Sequence, residues 1–305
     1  PPPPRLDSSA ASDVYKRQGI AASWVTRTPT WARLDWVLVP RTVEPRVTDL
    51  IYIGGYGRSG STLLESLLTT RPSELACGEV VSCLRDRIDR GCTCGESRKD
   101  CVIWGPFDEI LNEPGGITHA ALTLALLTCA SARFDLMVDS SKTAWGSLTA
   151  PSNLRGRLGE RFHLIHLVRD PRGVCWSNAG GTRKRGVVRF PLLRHLLTVV
   201  GWSAANLSCE LFGLLYPTQY RRVRYEDLTS DHAQVLDALF GSLPHEQAGG
   251  DETNNRHQLY GNHNRYKGFA PETISEDLRW KMQMSSGHQA VVSVLTWPLR
   301  LRYGS

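Results

Sequence analysis

The chain has 305 residues, 41% hydrophobic and 22% charged, and its 36 Lys and Arg against 30 Asp and Glu leave a net charge of +6. That length holds one large α/β domain or two smaller ones, and the composition is that of a globular protein. The mild positive excess suits an anionic cofactor or substrate, while the lack of an aromatic-interleaved basic stripe argues against nucleic acid. Eight irregularly spaced cysteines are no secreted disulfide framework, and no apolar run reaches the ~18 residues of a membrane span, so the expected compartment is the cytoplasm.

Residues 1–18 open with four prolines and close with Asp13-Val14-Tyr15-Lys16-Arg17-Gln18, which reads like a translated sequencing adapter. They are set aside as non-native. Residues 19–47, with Pro29, Pro40 and Pro45 among Trp24, Trp31 and Trp36, read as an irregular lead-in, and 48–305 as one domain.

The organising stretch is Leu50-Ile51-Tyr52-Ile53-Gly54-Gly55-Tyr56-Gly57-Arg58-Ser59-Gly60-Ser61-Thr62. A short β-type run passes through glycines into helical spacing at Leu63, Leu64, Leu67 and Leu68. Strand, glycine loop and helix in that order build a phosphate site. Glycines let backbone N–H groups approach phosphate oxygens, and the helix N-terminus adds favourable dipole charge. Gly55 and Gly60 have P-loop spacing, but Ser61 stands where a nucleotide-hydrolysing loop carries lysine. The cation comes earlier, at Arg58.

Pro72 is expected to end that helix. The apolar piece before Gly78 reads as a second strand with Glu79 at its tip, either a general base or a solvated turn residue. Cys92-Thr93-Cys94 followed by Cys101 invites a zinc reading, but no histidine is near and no second spaced pair follows. A packed or partly disulfide-bonded loop including Cys83 is preferred, and no metal is assigned. A core helix is expected near 117–132.

Phe134 to Thr143 reads as a strand ending in a polar loop, with Lys142 directed into the crevice where open α/β sheets bind ligands. Phe162 to Val168 is a buried strand. Arg169 stands at its end, Pro171 and Gly173 make the turn, and Ser177 lies in the following helix, eight residues after Arg169. His163 and His166 read as core histidines. The glycine-flanked basic segment 180–189 is either a lid for an acidic acceptor or a solvated face. Leu192 to Tyr216, which carries Arg194, His195, Asn206 and Glu210, reads as an amphipathic buried helix.

These motifs together resemble a sulfotransferase that uses 3′-phosphoadenosine-5′-phosphosulfate (PAPS). In that family a loop with Lys or Arg before Ser-Gly-Ser/Thr-Thr cradles the 5′-phosphosulfate, matched here by Arg58-Ser59-Gly60-Ser61-Thr62 after Gly57. A strand-end arginine and a serine eight residues on grip the 3′-phosphate, matched by Arg169 and Ser177. Arg224-Tyr225-Glu226-Asp227-Leu228 resembles the family's downstream aromatic-acidic segment, with Tyr225 the candidate adenine neighbour. Gly261-Asn262-His263-Asn264-Arg265-Tyr266-Lys267-Gly268 is similar to a late loop that closes over PAPS in bacterial members, which adds Arg265 and Lys267. The resemblance covers roughly residues 48–303.

It implies a three-layer α/β fold with a central parallel sheet, like that of P-loop NTPases. The expected reaction is in-line transfer of the sulfuryl group from PAPS to an acceptor hydroxyl or amine, releasing adenosine 3′,5′-bisphosphate, with a glycan or glycolipid as candidate acceptor. Leu63 and Ala144 replace the tryptophan and the catalytic histidine of cytosolic small-molecule members. Arg58 and Cys77-Gly78-Glu79 look more like tyrosylprotein and carbohydrate sulfotransferases. The expected roles are therefore Glu79 as base, with His263 or Asp139 as fallbacks, and Arg58 and Lys142 as charge stabilisers without a metal. A P-loop kinase using ATP and Mg²⁺ and a catalytically silent nucleotide-binding protein are the two rival readings.

Overall fold

The computed structural model describes residues 48–85, 91–112, 117–131, 133–143, 148–180, 191–241, 255–266 and 273–304. The lead-in, the segment 181–189 and Lys267 lie outside the described residues, as does the side chain of His263.

In chain order the first half comprises β1 (Asp49–Gly54), α1 (Ser61–Leu68), β2 (Glu74–Ala76), α2 (Val80–Cys83), α3 (Asp108–Asn112), α4 (His119–Ala130), β3 (Leu136–Asp139), α5 (Ala150–Leu158) and β4 (Phe162–Val168). There follow α6 (Pro171–Asn178), α7 (Pro191–Leu215), β5 (Tyr220–Arg224), α8 (Tyr225–Ser230), α9 (His232–Phe240), α10 (Arg279–Gln283) and α11 (Ser286–Tyr303). The strands form one sheet in the order β2-β3-β1-β4-β5, and every pairing is parallel.

Parallel strands put all their carboxyl ends on one edge, so the loops after each strand meet there. From β1 the chain moves outward to β2, returns through β3, and then crosses to β4 and β5 on the other side. That reversal at β1 opens a crevice beyond the strand ends, the usual ligand site of open α/β sheets. The register sets neighbours: Tyr52 pairs with Asp139 and Gly54 with His166.

Strand alternation sends Leu50 and Tyr52 to one face, where they meet Met137, Phe162, Leu164 and Leu122, Leu126, Leu154 and Phe212 from α4, α5 and α7. Ile51 and Ile53 go to the other, with Val138, Ile165, Leu167 and the leucines of α1. Helices cover both faces, which is why β1, β3 and β4 read as nearly continuous apolar runs. The result is the expected three-layer α/β architecture.

Three sequence readings need adjustment. First, α1 stops at Leu68, four residues before Pro72. Second, β5 was not expected as a strand: Arg221, Arg222 and Arg224 hide it, and Val223 is its one buried side chain. Third, α7 is amphipathic as read, but only one of its faces is buried, the one that carries Val199, Trp202 and Phe212. His195, Asn206 and Glu210 are buried, while Leu193, Leu197, Val200, Leu207, Leu211, Leu214 and Leu215 are exposed.

Of the buried polar groups of α7, Asn206 and Glu210 are satisfied, whereas His195 Nδ1 has no hydrogen-bond partner among the described residues. His166 is fully buried on β4, and its ring nitrogens bond Asn206 Oδ1 (2.7 Å) and the Tyr220 hydroxyl (2.8 Å). Burial lowers the His166 pKa to about 4, despite Asn206 and Glu210, so it is a neutral core histidine as expected. Glu210 accepts from Arg222 (3.1 Å) and Arg302 (2.9 Å), which ties α7 to β5 and α11.

Candidate active site at the carboxyl edge of the sheet

The loop after β1 turns through Gly55 (φ +104°), Arg58 (φ +69°) and Gly60 (φ +96°). The left-handed region costs a non-glycine residue energy, so Arg58 holds its conformation because surrounding contacts enforce it. A Cβ on Gly55 would come within 2.3 Å of the Leu167 carbonyl oxygen, and one on Gly60 within 2.6 Å of the Tyr225 ring. Thr143 pins the loop from β3: its hydroxyl accepts from the Gly55 N–H (3.1 Å), and its own N–H donates to the Gly55 carbonyl (3.0 Å).

No side chain caps α1 at Gly60, so its first-turn N–H groups face the loop. The Ser59 hydroxyl is buried without a hydrogen-bond partner among the described residues. An uncapped helix start beside an unmatched buried hydroxyl is a donor set for an anion.

Lys142 also has a left-handed backbone (φ +69°), fixed by its N–H to the Ile53 carbonyl (3.2 Å) and by the Tyr52 hydroxyl, which donates to its carbonyl. That turn swings the side chain back across the strand ends. Its ammonium forms a hydrogen-bonded ion pair with Glu79 Oε1, and the Ser82 hydroxyl donates to Glu79 Oε2 (3.0 Å). Burial raises the Glu79 pKa, but the Lys142 charge and hydrogen bond, then Ser82 and Arg265, outweigh it and hold the carboxyl below its ordinary value. Glu79 is ionised at neutral pH and remains partly open to solvent, as an acceptor requires.

On the other side of β1, α6 begins at Pro171 behind Asp170, whose carboxylate accepts the Arg172 N–H (2.8 Å). The helix brings Ser177 to Arg58, whose Nε donates to the Ser177 hydroxyl (3.0 Å). Arg169 is 6% exposed. It donates to the carbonyls of Arg58 (3.0 Å) and Asp277 (3.2 Å), and it lies 4.3 Å over the Tyr225 ring. Arg58, Arg169, Ser177 and Tyr225 thus form one cluster around Gly60. Asp277, which the sequence did not single out, lies 3.8 Å from Arg169 and completes it.

Arg265 is nearby but turned inward, bonding the carbonyls of Gly261 (3.0 Å) and Leu259 (3.1 Å) and the Tyr266 hydroxyl (2.8 Å). It braces its own loop and adds positive field at Glu79. Asp139 is fully buried at the tip of β3. Its carboxylate is occupied by His119 (3.0 Å) and by the backbone N–H and hydroxyl of Ser141, so it is no open base.

Sequence reading missed Glu65. It is 1% exposed on α1, and accepts from the Gly78 N–H (2.6 Å), the Ser140 hydroxyl (2.9 Å) and the Gln258 amide (2.7 Å). One carboxylate therefore fastens the loops after β2 and β3 and a late segment to α1. The sole signal was an acid inside a leucine-rich helix. Burial raises the Glu65 pKa to about 7, against those hydrogen bonds. A raised acid pKa contributes stability below the unfolded value near 4.5 that is lost as pH rises through 7, on the order of 3 kcal/mol. Glu65→Gln should destabilise the fold by about 1–3 kcal/mol, because an amide donor then faces protein donors. Thermal melts should show its deficit relative to the parent shrinking between pH 5 and 8. A deficit that grows with pH would contradict this assignment.

The chain matches the family model described as "Sulfotransferase family" over residues 50–246. Among solved structures, the sulfotransferase domain of the Synechococcus PCC 7002 olefin synthase is 19% identical, with TM-score 0.53, 87% of this chain covered and 97% of that one. The sulfotransferase domain of the curacin biosynthetic pathway is 19% identical (TM-score 0.46; 83% and 99% covered). Mouse sulfotransferase SULT7A1 complexed with PAP is 11% identical (TM-score 0.48; 89% and 88% covered). No curated protein matches the chain. The olefin synthase domain supports the fold alone, while the family model spans the glycine loop, Glu79, Lys142 and the Arg169–Ser177 pair: the chain belongs to the sulfotransferase family.

Proposed function

We propose that the chain transfers the sulfuryl group of PAPS to an acceptor hydroxyl or amine, with a glycan or glycolipid headgroup as the acceptor class. The observation that carries the reading is a carboxylate held ionised by Lys142 beside a glycine loop with an uncapped helix start and an unmatched buried serine hydroxyl. When bound, PAPS supplies an activated sulfuryl group and a stable leaving group.

The chain's own residues do the rest. Glu79 takes the acceptor proton at Oε1 or Oε2, and Lys142 keeps that carboxylate charged until it does. Arg58, Lys142 and the amides of Gly57–Thr62 present positive charge where negative charge builds up during transfer. A fixed array of donors needs no reorganisation at that moment. Arg169 and Ser177 hold the 3′-phosphate, with Tyr225 against the nucleoside. Lys267 belongs to the same proposal by resemblance, and Arg265 acts on Glu79 through its charge.

Calorimetric titration with adenosine 3′,5′-bisphosphate, AMP and ATP tests the donor, and turnover of labelled PAPS against hydroxylated and aminated glycans and glycolipids tests the reaction. The expected result is a strong preference for the 3′-phosphorylated nucleotide and transfer of label to an acceptor. Preference for ATP with Mg²⁺ would make the protein a kinase. Tight bisphosphate binding with no turnover on any acceptor would make it a silent binder.

A further inference from the structure

Away from the crevice, three cysteines of one loop meet a histidine from late in the chain. Cys92 and Cys101 are 3% and 1% exposed, His257 is 6% exposed, and Cys94 is half-buried. All eight cysteines carry free thiols, so the partly disulfide-bonded loop is not what forms. Cys101 Sγ lies 3.3 Å from His257 Nδ1, Cys92 Sγ lies 3.9 Å from the same nitrogen, and the two sulfurs are 3.6 Å apart. With Cys94 included, all four ligand atoms fall within 4.8 Å of one another. The histidine missing near the C-x-C pair is supplied from 156 residues beyond Cys101.

Tetrahedral zinc with Zn–S about 2.3 Å and Zn–N about 2.0 Å places its ligand atoms roughly 3.5–3.8 Å apart. The observed separations bracket that range. They suit a single ion and leave no room for an iron–sulfur cluster between the sulfurs. A disulfide between Cys92 and Cys101 would account for two of the four groups, but not for an imidazole nitrogen facing both sulfurs. We propose that Cys92, Cys94, Cys101 and His257 hold one zinc ion. Four protein ligands leave no open position, so its role is structural.

The surroundings fit that role. Gly91 and Gly95 are left-handed (φ +71° and +99°), and the Cys92 N–H reaches the Glu96 carbonyl (2.8 Å), which closes a tight loop. The Cys94 amide faces the Cys92 sulfur, and the Ile103 and Trp104 amides face that of Cys101, the outer-shell donors that thiolate ligands need. Trp104 Nε1 donates to the His257 carbonyl (2.5 Å), and Thr93 exchanges bonds with the backbone of Arg256 and Gln258. Cys94 and His257 also line a cleft of about 380 Å³ with Pro72, Glu96, Val102 and Asn255, which gives the ion a way in.

The ion would fasten the late segment to the sheet. The His257 backbone N–H donates to the Ala76 carbonyl (2.9 Å) and Arg256 bridges Ala76 in parallel, so the segment extends the sheet beyond β2. Three residues on, the Tyr260 carbonyl accepts the Glu79 N–H (3.1 Å).

The test is elemental analysis and native mass spectrometry of the full chain, purified without added chelator and reconstituted with zinc. One zinc per chain is expected, and cobalt substitution should give the intense thiolate-to-metal absorption of a tetrahedral thiolate site. Cys94→Ser and His257→Gln should each weaken zinc binding by more than the roughly tenfold to hundredfold of an outer-shell loss. Cys129→Ser, on α4 outside the cluster, should bind like the parent. Stripping the metal should lower the melting temperature by roughly 5–10 °C, restored by zinc. A metal-free chain with a Cys92–Cys101 disulfide by mass would overturn the proposal. So would zinc that both ligand variants retain with the parent's affinity, which would be adventitious.

Discussion

Glu79→Gln is expected to lower the turnover rate by about 10²–10⁴-fold, with the affinity for adenosine 3′,5′-bisphosphate nearly unchanged. Glutamine keeps the size and the acceptor oxygen that meets Lys142, but it cannot take the acceptor proton. In the parent, Lys142 and Ser82 hold the carboxyl below its ordinary 4.5 against the effect of burial. The acid limb of kcat/KM should therefore lie below that value, and the variant should lose it. Glu74, which its place five residues earlier makes a natural control, is unsuitable. It is 2% exposed and accepts the Arg71 N–H (2.9 Å), so its loss would disturb β2 itself. Glu160, exposed at the opposite edge of the sheet before β4, serves instead, and Glu160→Gln should turn over like the parent. Parental turnover in the Glu79 variant would remove it from the mechanism. Asp139 could not replace it, since its carboxylate is sealed among His119 and Ser141.

The site's outline was legible because its elements announce themselves locally. β1, β3 and β4 are apolar runs buried on both faces, and each ends in the loop that supplies a cation. Arg58, Lys142 and Arg169 follow those tips, Glu79 follows β2 and Ser177 lies on the helix after β4, so a strand assignment fixes most of their places. Two kinds of residue escaped. β5 is an edge strand with three arginines, and one buried side chain gives no period to read. Glu65 and His257 act through partners far along the chain: Ser140 is 75 residues from Glu65 and Gln258 is 193. No local pattern encodes such meetings. The histidine that meets the cysteine loop was out of sight for the same reason, as it lies far along the chain from Cys92, Cys94 and Cys101. α7 misled differently. Its leucines suggested a buried face, but the buried face is set by Val199, Trp202 and Phe212 and takes Asn206 and Glu210, which have partners in the core, along with them.

Arg169→Ala and Ser177→Ala should each weaken binding of adenosine 3′,5′-bisphosphate by roughly ten- to a hundredfold, the loss of one charge-assisted contact worth about 1.5–3 kcal/mol. They should not behave as independent sites. Arg58 Nε donates to Ser177, and its carbonyl accepts from Arg169, so either change also removes one contact of the arginine of the glycine loop. The double variant should therefore lose less than the sum of the single losses. Arg169→Lys should rescue little, because an ammonium cannot bond the Arg58 and Asp277 carbonyls together while stacking on Tyr225. Melting temperature separates binding from folding: Ser177→Ala should melt like the parent, whereas Arg169→Ala leaves two carbonyls to water and should melt lower. AMP supplies the remaining control. Lacking the 3′-phosphate, it should lose much less affinity for Ser177→Ala than the bisphosphate does, and a loss as large as that for the bisphosphate would show that Ser177 acts on the glycine loop rather than on the 3′-phosphate. Parental affinity for the bisphosphate in both single variants would put the 3′-phosphate elsewhere.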